Sequence, residues 1–234
     1  ATDYVDLDGY VWKDHIIDRI FKVKKSKECD FSTFIGNISG EDDKRRNSFE
    51  TTIGYLLHGH KRSSFSPAVI LNDEVISDHP EGGTGKGLFM EGIGQLKKHV
   101  VIDGKQFSFD KSFAYQTLDV DTQVLTFDDV KKGFDFERLF SIITEGITIE
   151  KKNKDAVKLP FRDSPKIAIT TNYAIKGSGN SHARRKWELE FKQFYTRTFT
   201  PETEFGKMMF TGWNVEEYIR FDNYMICCIQ AYLS

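Results

Sequence analysis

The sequence predicts an α/β fold with a mostly parallel central sheet, a helical N-terminal segment and a C-terminal helix, and three observations carry that expectation. Four short runs, 68–71 (AVIL), 99–102 (HVVI), 124–127 (VLTF) and 167–170 (IAIT), are rich in β-branched residues and unbroken by charge, as in strands covered on both faces. Helical periodicity recurs around them, at 88–96, 136–143 and 215–233. A glycine-rich loop lies between the first strand and the helix after it, which makes one βα unit.

Taken in order, residues 10–22 place Val11, Trp12, Ile16, Ile17, Ile20 and Phe21 at helical spacing, and 49–57 is a second amphipathic run. The pattern changes at Phe65-Ser66-Pro67, which divides the chain into a helical segment, 1–64, and a core, 65–234. Within the core, 146–161 (GITIEKKNKDAVKLPF) alternates like a hairpin. Residues 215–233 form a long periodic helix whose aromatic residues suit burial better than base stacking.

With 234 residues the chain can bury one substantial core, and 39% hydrophobic content with 29% charged residues describes a soluble globular protein. A formal charge of -2 excludes a uniformly basic surface, so any nucleic-acid contact must come from a local patch. Cys29, Cys227 and Cys228 make neither a disulfide framework nor a zinc pattern. A reducing compartment fits them. No apolar run approaches the ~20 residues needed to cross a bilayer, and ATDYVDLDGY is too acidic for a signal peptide. The expected location is the cytoplasm, with no membrane partner. A start at Ala1 rather than Met suits an excised piece of a longer protein, although processing gives the same start.

The chemistry centres on PEGGTGKGLF, residues 80–89. Successive glycines let backbone N–H groups turn inward around a phosphate, and a helix starting there adds its positive dipole end. Gly82, Gly83, Thr84, Gly85, Lys86, Gly87 and Leu88 are the candidate nucleotide-binding residues, with Lys86 reaching the terminal phosphates. Two positions depart from the usual pattern: Pro80 stands at its first glycine, and Gly87 replaces the hydroxyl residue that normally holds magnesium. The plain alternative is a glycine-rich surface turn. VLTFDDV ends in Asp128 and Asp129, carboxylates at a strand's C-terminal edge that suit Mg2+ binding and orientation of water, or else a solvated turn. ITTN ends in Asn172, which suits a water-positioning group at the γ-phosphate, or a strand-terminating turn. His58 and His60 stand without a carboxylate or cysteine cluster and read as a surface turn.

In this order, GGTGKG, VLTFDDV, TEGITIEKKNK, ITTN and SHARRKWELEF resemble the superfamily 3 helicases of the AAA+ class, especially the poxvirus-type and phage primase-helicases. The resemblance spans roughly residues 41–233. It implies an AAA+ P-loop NTPase core, ATP and Mg2+ as cofactors, and a homo-oligomeric ring, usually a hexamer, that moves single-stranded DNA. A primase domain or other replication proteins are further implied partners. It also implies that Arg184 and Arg185 reach the γ-phosphate of a neighbouring subunit, and that Lys151, Lys152 and Lys154 of the hairpin face a central channel and grip DNA. Losing one hydroxyl at Gly87 need not prevent hydrolysis, because magnesium accepts waters readily. Two other readings stay open: a nucleotide-binding ring scaffold that binds DNA with little hydrolysis, and a small-molecule P-loop kinase.

Overall fold

The computed structural model describes residues 9–25, 28–75 and 82–234. After an extended N-terminal strap come α1 (Asp30–Ser39), α2 (Asp43–Leu57), β1 (Ala68–Asp73), α3 (Lys86–Gly94), β2 (His99–Asp103) and β3 (Val124–Val130). Then follow α4 (Phe140–Thr144), β4 (Gly146–Ile149), β5 (Val157–Pro160), β6 (Lys166–Thr171), α5 (Asn180–Ala183), β7 (Lys186–Phe191), α6 (Pro201–Phe205) and α7 (Val215–Leu233).

Five strands form one sheet in the order β2-β3-β6-β1-β7, and every neighbouring pair in it is parallel. β4 and β5 form a separate antiparallel hairpin, as the alternation at 146–161 predicts. Side chains along the strands divide with period two. Val69 and Leu71 of β1 join a core with α1, α2, α3 and α7, while Ala68 and Ile70 face a second core built from Phe107, Phe134, Phe136, Leu139 and the hairpin. Helices precede and follow the sheet, and its three central strands, β3, β6 and β1, are buried on both faces along most of their length, the α/β class that the sequence predicts.

The helix expected at residues 10–22 is corrected. This strap holds only a short 3-10 turn, Lys13–His15, and Val11, Trp12, Ile16, Ile17, Ile20 and Phe21 are each at least 40% exposed. A helical stripe is stable when it buries that stripe, and this one has little to bury it against. The strap is held instead by polar ties to α7: an Arg19–Asp222 ion pair, and Lys24 N–H donating to Asn223 Oδ1 at 2.9 Å. α1 and β7 went unread in the sequence. Among the described residues no helix is long and apolar enough to cross a membrane, and the three cysteines are free thiols.

Candidate active site

Because β6 is inserted between β1 and β3, the C-terminal ends of these three strands stand side by side. Crevices at such ends are where open parallel sheets bind ligands. The loop from β1 to α3 lies over them, and three of its residues, Gly82, Gly83 and Gly85, adopt positive φ (68°, 75° and 101°). Gly85 also abuts α1: a Cβ there would come within 2.8 Å of the Phe34 ring. No side chain caps α3, so its first N–H groups are left to the loop and the space before it. Pro80 and Glu81 lie outside the described residues.

A cleft of about 610 Å³ opens here, lined by all seven loop residues from Gly82 to Leu88 together with Asp128, Asp129 and Asn172. Thr200, Pro201 and Glu202 with Met208, Met209 and Thr211 also line it. Lys86 sits at its centre. Its Nζ donates to Asn172 Oδ1 at 2.8 Å and to Thr84 Oγ1 at 3.1 Å, and forms an ion pair with Asp73. Thr84 in turn donates to Asp73 Oδ1 at 2.6 Å. Asn172 Nδ2 reaches back to Asp129 Oδ1 at 3.4 Å, so loop, β6 and β3 are joined through side chains.

The Asp128-Asp129 pair is set by a break in the ladder. Pairing between β3 and β6 shifts register between Phe127 and Val130, and Asp129 takes φ +53°, uncommon for a residue with a side chain. Thr170 of β6 holds both residues: it accepts from the Asp129 N–H at 2.7 Å and donates to Asp128 Oδ1 at 2.6 Å. Lys105, on the loop after β2, makes an ion pair with Asp129. The oxygen donors present, two carboxylates and the Thr84 hydroxyl, are the hard type that magnesium takes. Among the described residues no group of three or more His, Cys, Asp or Glu side chains gathers as a metal site.

Three participants were not anticipated: Asp73, Thr170 and Lys105. Asp73 was open to discovery, since it ends an apolar strand as Asp128 does. Lys105 carries no such signal, because only the fold brings its loop against β3.

The arginines lie elsewhere. Lys186 pairs in register with Ala68, so Arg184 and Arg185 stand at the starting edge of β1, whereas the cleft lies at its end. Six residues of strand at about 3.3 Å each put about 20 Å between the two edges. Arg184 is exposed; Arg185 donates to Ser181 O at 3.0 Å and lies 4.4 Å from the Phe140 ring centroid. Neither lines its own chain's cleft. Of the hairpin lysines, Lys152 and Lys154 are exposed at the tip and Lys151 pairs with Asp119 at 2.6 Å.

A family model described as a family of unknown function, DUF5906, matches residues 79–185, a little under half of the chain. No curated protein matches it in sequence. Among solved structures, the A-form apo structure of the NrS-1 C-terminal region is similar, with a TM-score of 0.58 and 15% identity over 93% of this chain and 48% of that one. A second structure of that region, spanning its residues 305–718, gives 0.52 and 18% identity over 95% and 48%. JCV helicase is more distant, at a TM-score of 0.48 and 12% identity over 86% of this chain and 53% of that one. The chain spans about half the length of these structures. The likeness to the NrS-1 region establishes a shared fold.

Proposed function

We propose that this chain is the ATP-hydrolysing motor of a DNA helicase or translocase of the superfamily 3 type, serving a phage or mobile-element replication protein. The observation that carries this reading is the convergence on one cleft of Lys86, Asp128, Asp129 and Asn172, which arrive from three separate segments and are tied together by hydrogen bonds.

In this reading the loop N–H groups from Gly82 to Leu88 hold the β- and γ-phosphates of ATP, and Lys86 exchanges Asp73 for phosphate oxygens. Asp128 and Asp129 are the residues that would hold Mg2+, which when bound neutralises charge on the phosphates. Thr170 keeps both aspartates aimed into the cleft, and Asn172, released from Lys86, orients the attacking water. With Gly87 in place of a hydroxyl residue, the Thr84 hydroxyl is the nearest alternative donor from the loop. Arg184 and Arg185 act on the neighbouring protomer's nucleotide, which makes hydrolysis depend on assembly. Single-stranded DNA is gripped by Lys151, Lys152 and Lys154 through its phosphates.

The deciding experiment measures ATP turnover by purified protein with Mg2+ and single-stranded DNA beside Lys86→Ala. DNA-stimulated turnover at least about a hundredfold above the variant, a loss of about 2.7 kcal/mol of transition-state stabilisation, is expected. Turnover equal to the variant's would remove the motor reading. Nucleotide binding without turnover would instead support a ring scaffold, the reading favoured by the missing hydroxyl at Gly87.

A further inference from the structure

At the opposite edge of the sheet from the glycine loop lies a second cavity of about 460 Å³, within the range of small-ligand pockets, about 300–1,000 Å³. Lys61 after α2, Lys97 after α3 and Lys166 at the start of β6 all line it. Lys166 is 4% exposed and Lys61 9%. Lys166 Nζ donates to the carbonyls of Tyr55 and His58 at the end of α2, and Lys61 Nζ donates to Ser164 O at 3.1 Å and Oγ at 2.8 Å.

Those neutral acceptors fix the ammonium groups in place without cancelling their charge, and among the described residues none of the three lysines forms an ion pair. The cavity wall has two carboxylates. Asp121 is engaged by Lys98 at 2.6 Å and His15 at 3.5 Å. Asp163 attracts Lys61, though burial outweighs that attraction, and Arg162 next to it adds another positive charge to the wall. His58 Nδ1 is buried with no hydrogen-bond partner among the described residues.

Burial, with repulsion from Lys97 and Lys61, pushes Lys166 down to about 7; burial pushes Lys61 down to about 8 and lowers Lys97. Two buried like charges, with a third half-buried beside them, oppose folding until an anion offsets them. Groups perturbed in this way and gathered in a cleft mark binding sites.

We propose that this cavity is a second ligand site, for a multiply charged phosphate group held by Lys61, Lys97 and Lys166 with His58. Trp12 of the strap lines the same cavity, and an aromatic side chain there suits the organic part of a phosphorylated ligand. The site lies at the far edge of the sheet from Lys86 and does not depend on what the glycine loop does.

The test is calorimetric titration of the full chain carrying Lys86→Ala, which weakens phosphate binding at the glycine loop, with orthophosphate, pyrophosphate and AMP as separate titrants; the Lys97 comparison tells the two sites apart. At least one binds, and Lys97→Ala in the same background weakens it by about tenfold or more, equivalent to about 1.4 kcal/mol. Pyrophosphate as the tightest titrant assigns the site to the phosphate alone, and AMP as the tightest assigns it to a nucleotide. Lys97 is only partly buried and makes no ion pair among the described residues, which makes it the milder substitution; Lys61→Met gives a second reading, and both variants are checked for folding by circular dichroism. Absence of binding by all three titrants, or affinity within about twofold in Lys97→Ala, overturns the proposal.

Discussion

Lys86 donates to an aspartate, a threonine and an asparagine at once, so its ammonium is fully satisfied before any phosphate arrives. Binding a nucleotide through Lys86 therefore requires breaking the contact with Asp73, and part of the binding energy goes to that exchange. Asp73→Asn keeps the shape and removes the charge. It is expected to tighten nucleotide by up to about tenfold, the equivalent of about 1.4 kcal/mol, in a fluorescent-nucleotide titration without Mg2+; weaker binding would mean that Asp73 supports the bound state instead. At this scale the sequence was informative where a motif combines a residue type with a strand end, as at Asp128, Asp129 and Asn172. It was silent where a contact depends on register alone. Thr170 precedes Asn172 by two residues in a buried strand, and only the pairing of β6 with a bulged β3 shows that it holds both aspartates.

Among the elements, the helix over-read at residues 10–22 and the helix missed at Asp30–Ser39 fail for opposite reasons. The strap has the right spacing but many β-branched residues and a stripe left exposed. α1 is poor in strong helix formers (DFSTFIGNIS), yet it is capped by reciprocal bonds between Cys29 and Ser32 and buries Phe31, Phe34, Ile35 and Ile38. Tertiary burial overrides propensity in both. β7 is legible in the alternation of Trp187, Leu189 and Phe191, a short signal beside the charged residues that interrupt it. α2 and α7 pack tightly at Gly54, where a Cβ would come within 2.1 Å of the Cys228 carbonyl oxygen. Because that neighbour is backbone, Gly54→Ala is expected to destabilise the protein by about 1–3 kcal/mol or more in urea unfolding. For the hairpin, alanines at both Lys151 and Lys152 are expected to abolish single-stranded DNA binding at physiological salt and spare basal ATPase. Any binding left at low salt should show a log–log salt slope smaller by about 1.4, two phosphates at about 0.7 each. DNA affinity equal to the parent's would take the hairpin out of the mechanism.

For the whole molecule, the separation between cleft and arginines makes a division of labour testable. If Arg184 and Arg185 serve a neighbour's nucleotide, Arg184→Ala/Arg185→Ala is expected to bind nucleotide as the parent does and to lose turnover by about a thousandfold or more. Mixing it with Lys86→Ala is expected to restore measurable turnover, because a parent cleft then meets parent arginines across some junctions. Mixtures as inactive as either component would show that the arginines do not act between protomers.

The strand order has a consequence for how the protein is made. Among the described residues β1 is the earliest strand, yet its two sheet neighbours are the last two, β6 and β7, beginning at Lys166 and Lys186. A nascent chain emerging from the ribosome can pair β2 with β3 early, while β1 waits without a lateral partner until β6, Lys166–Thr171, has been synthesised. Such late, long-range closure slows folding and leaves an open apolar strand during translation. Chaperone dependence during expression should therefore be traceable to the residues AVILND, and truncation anywhere before Lys166 should yield insoluble product rather than a smaller folded unit.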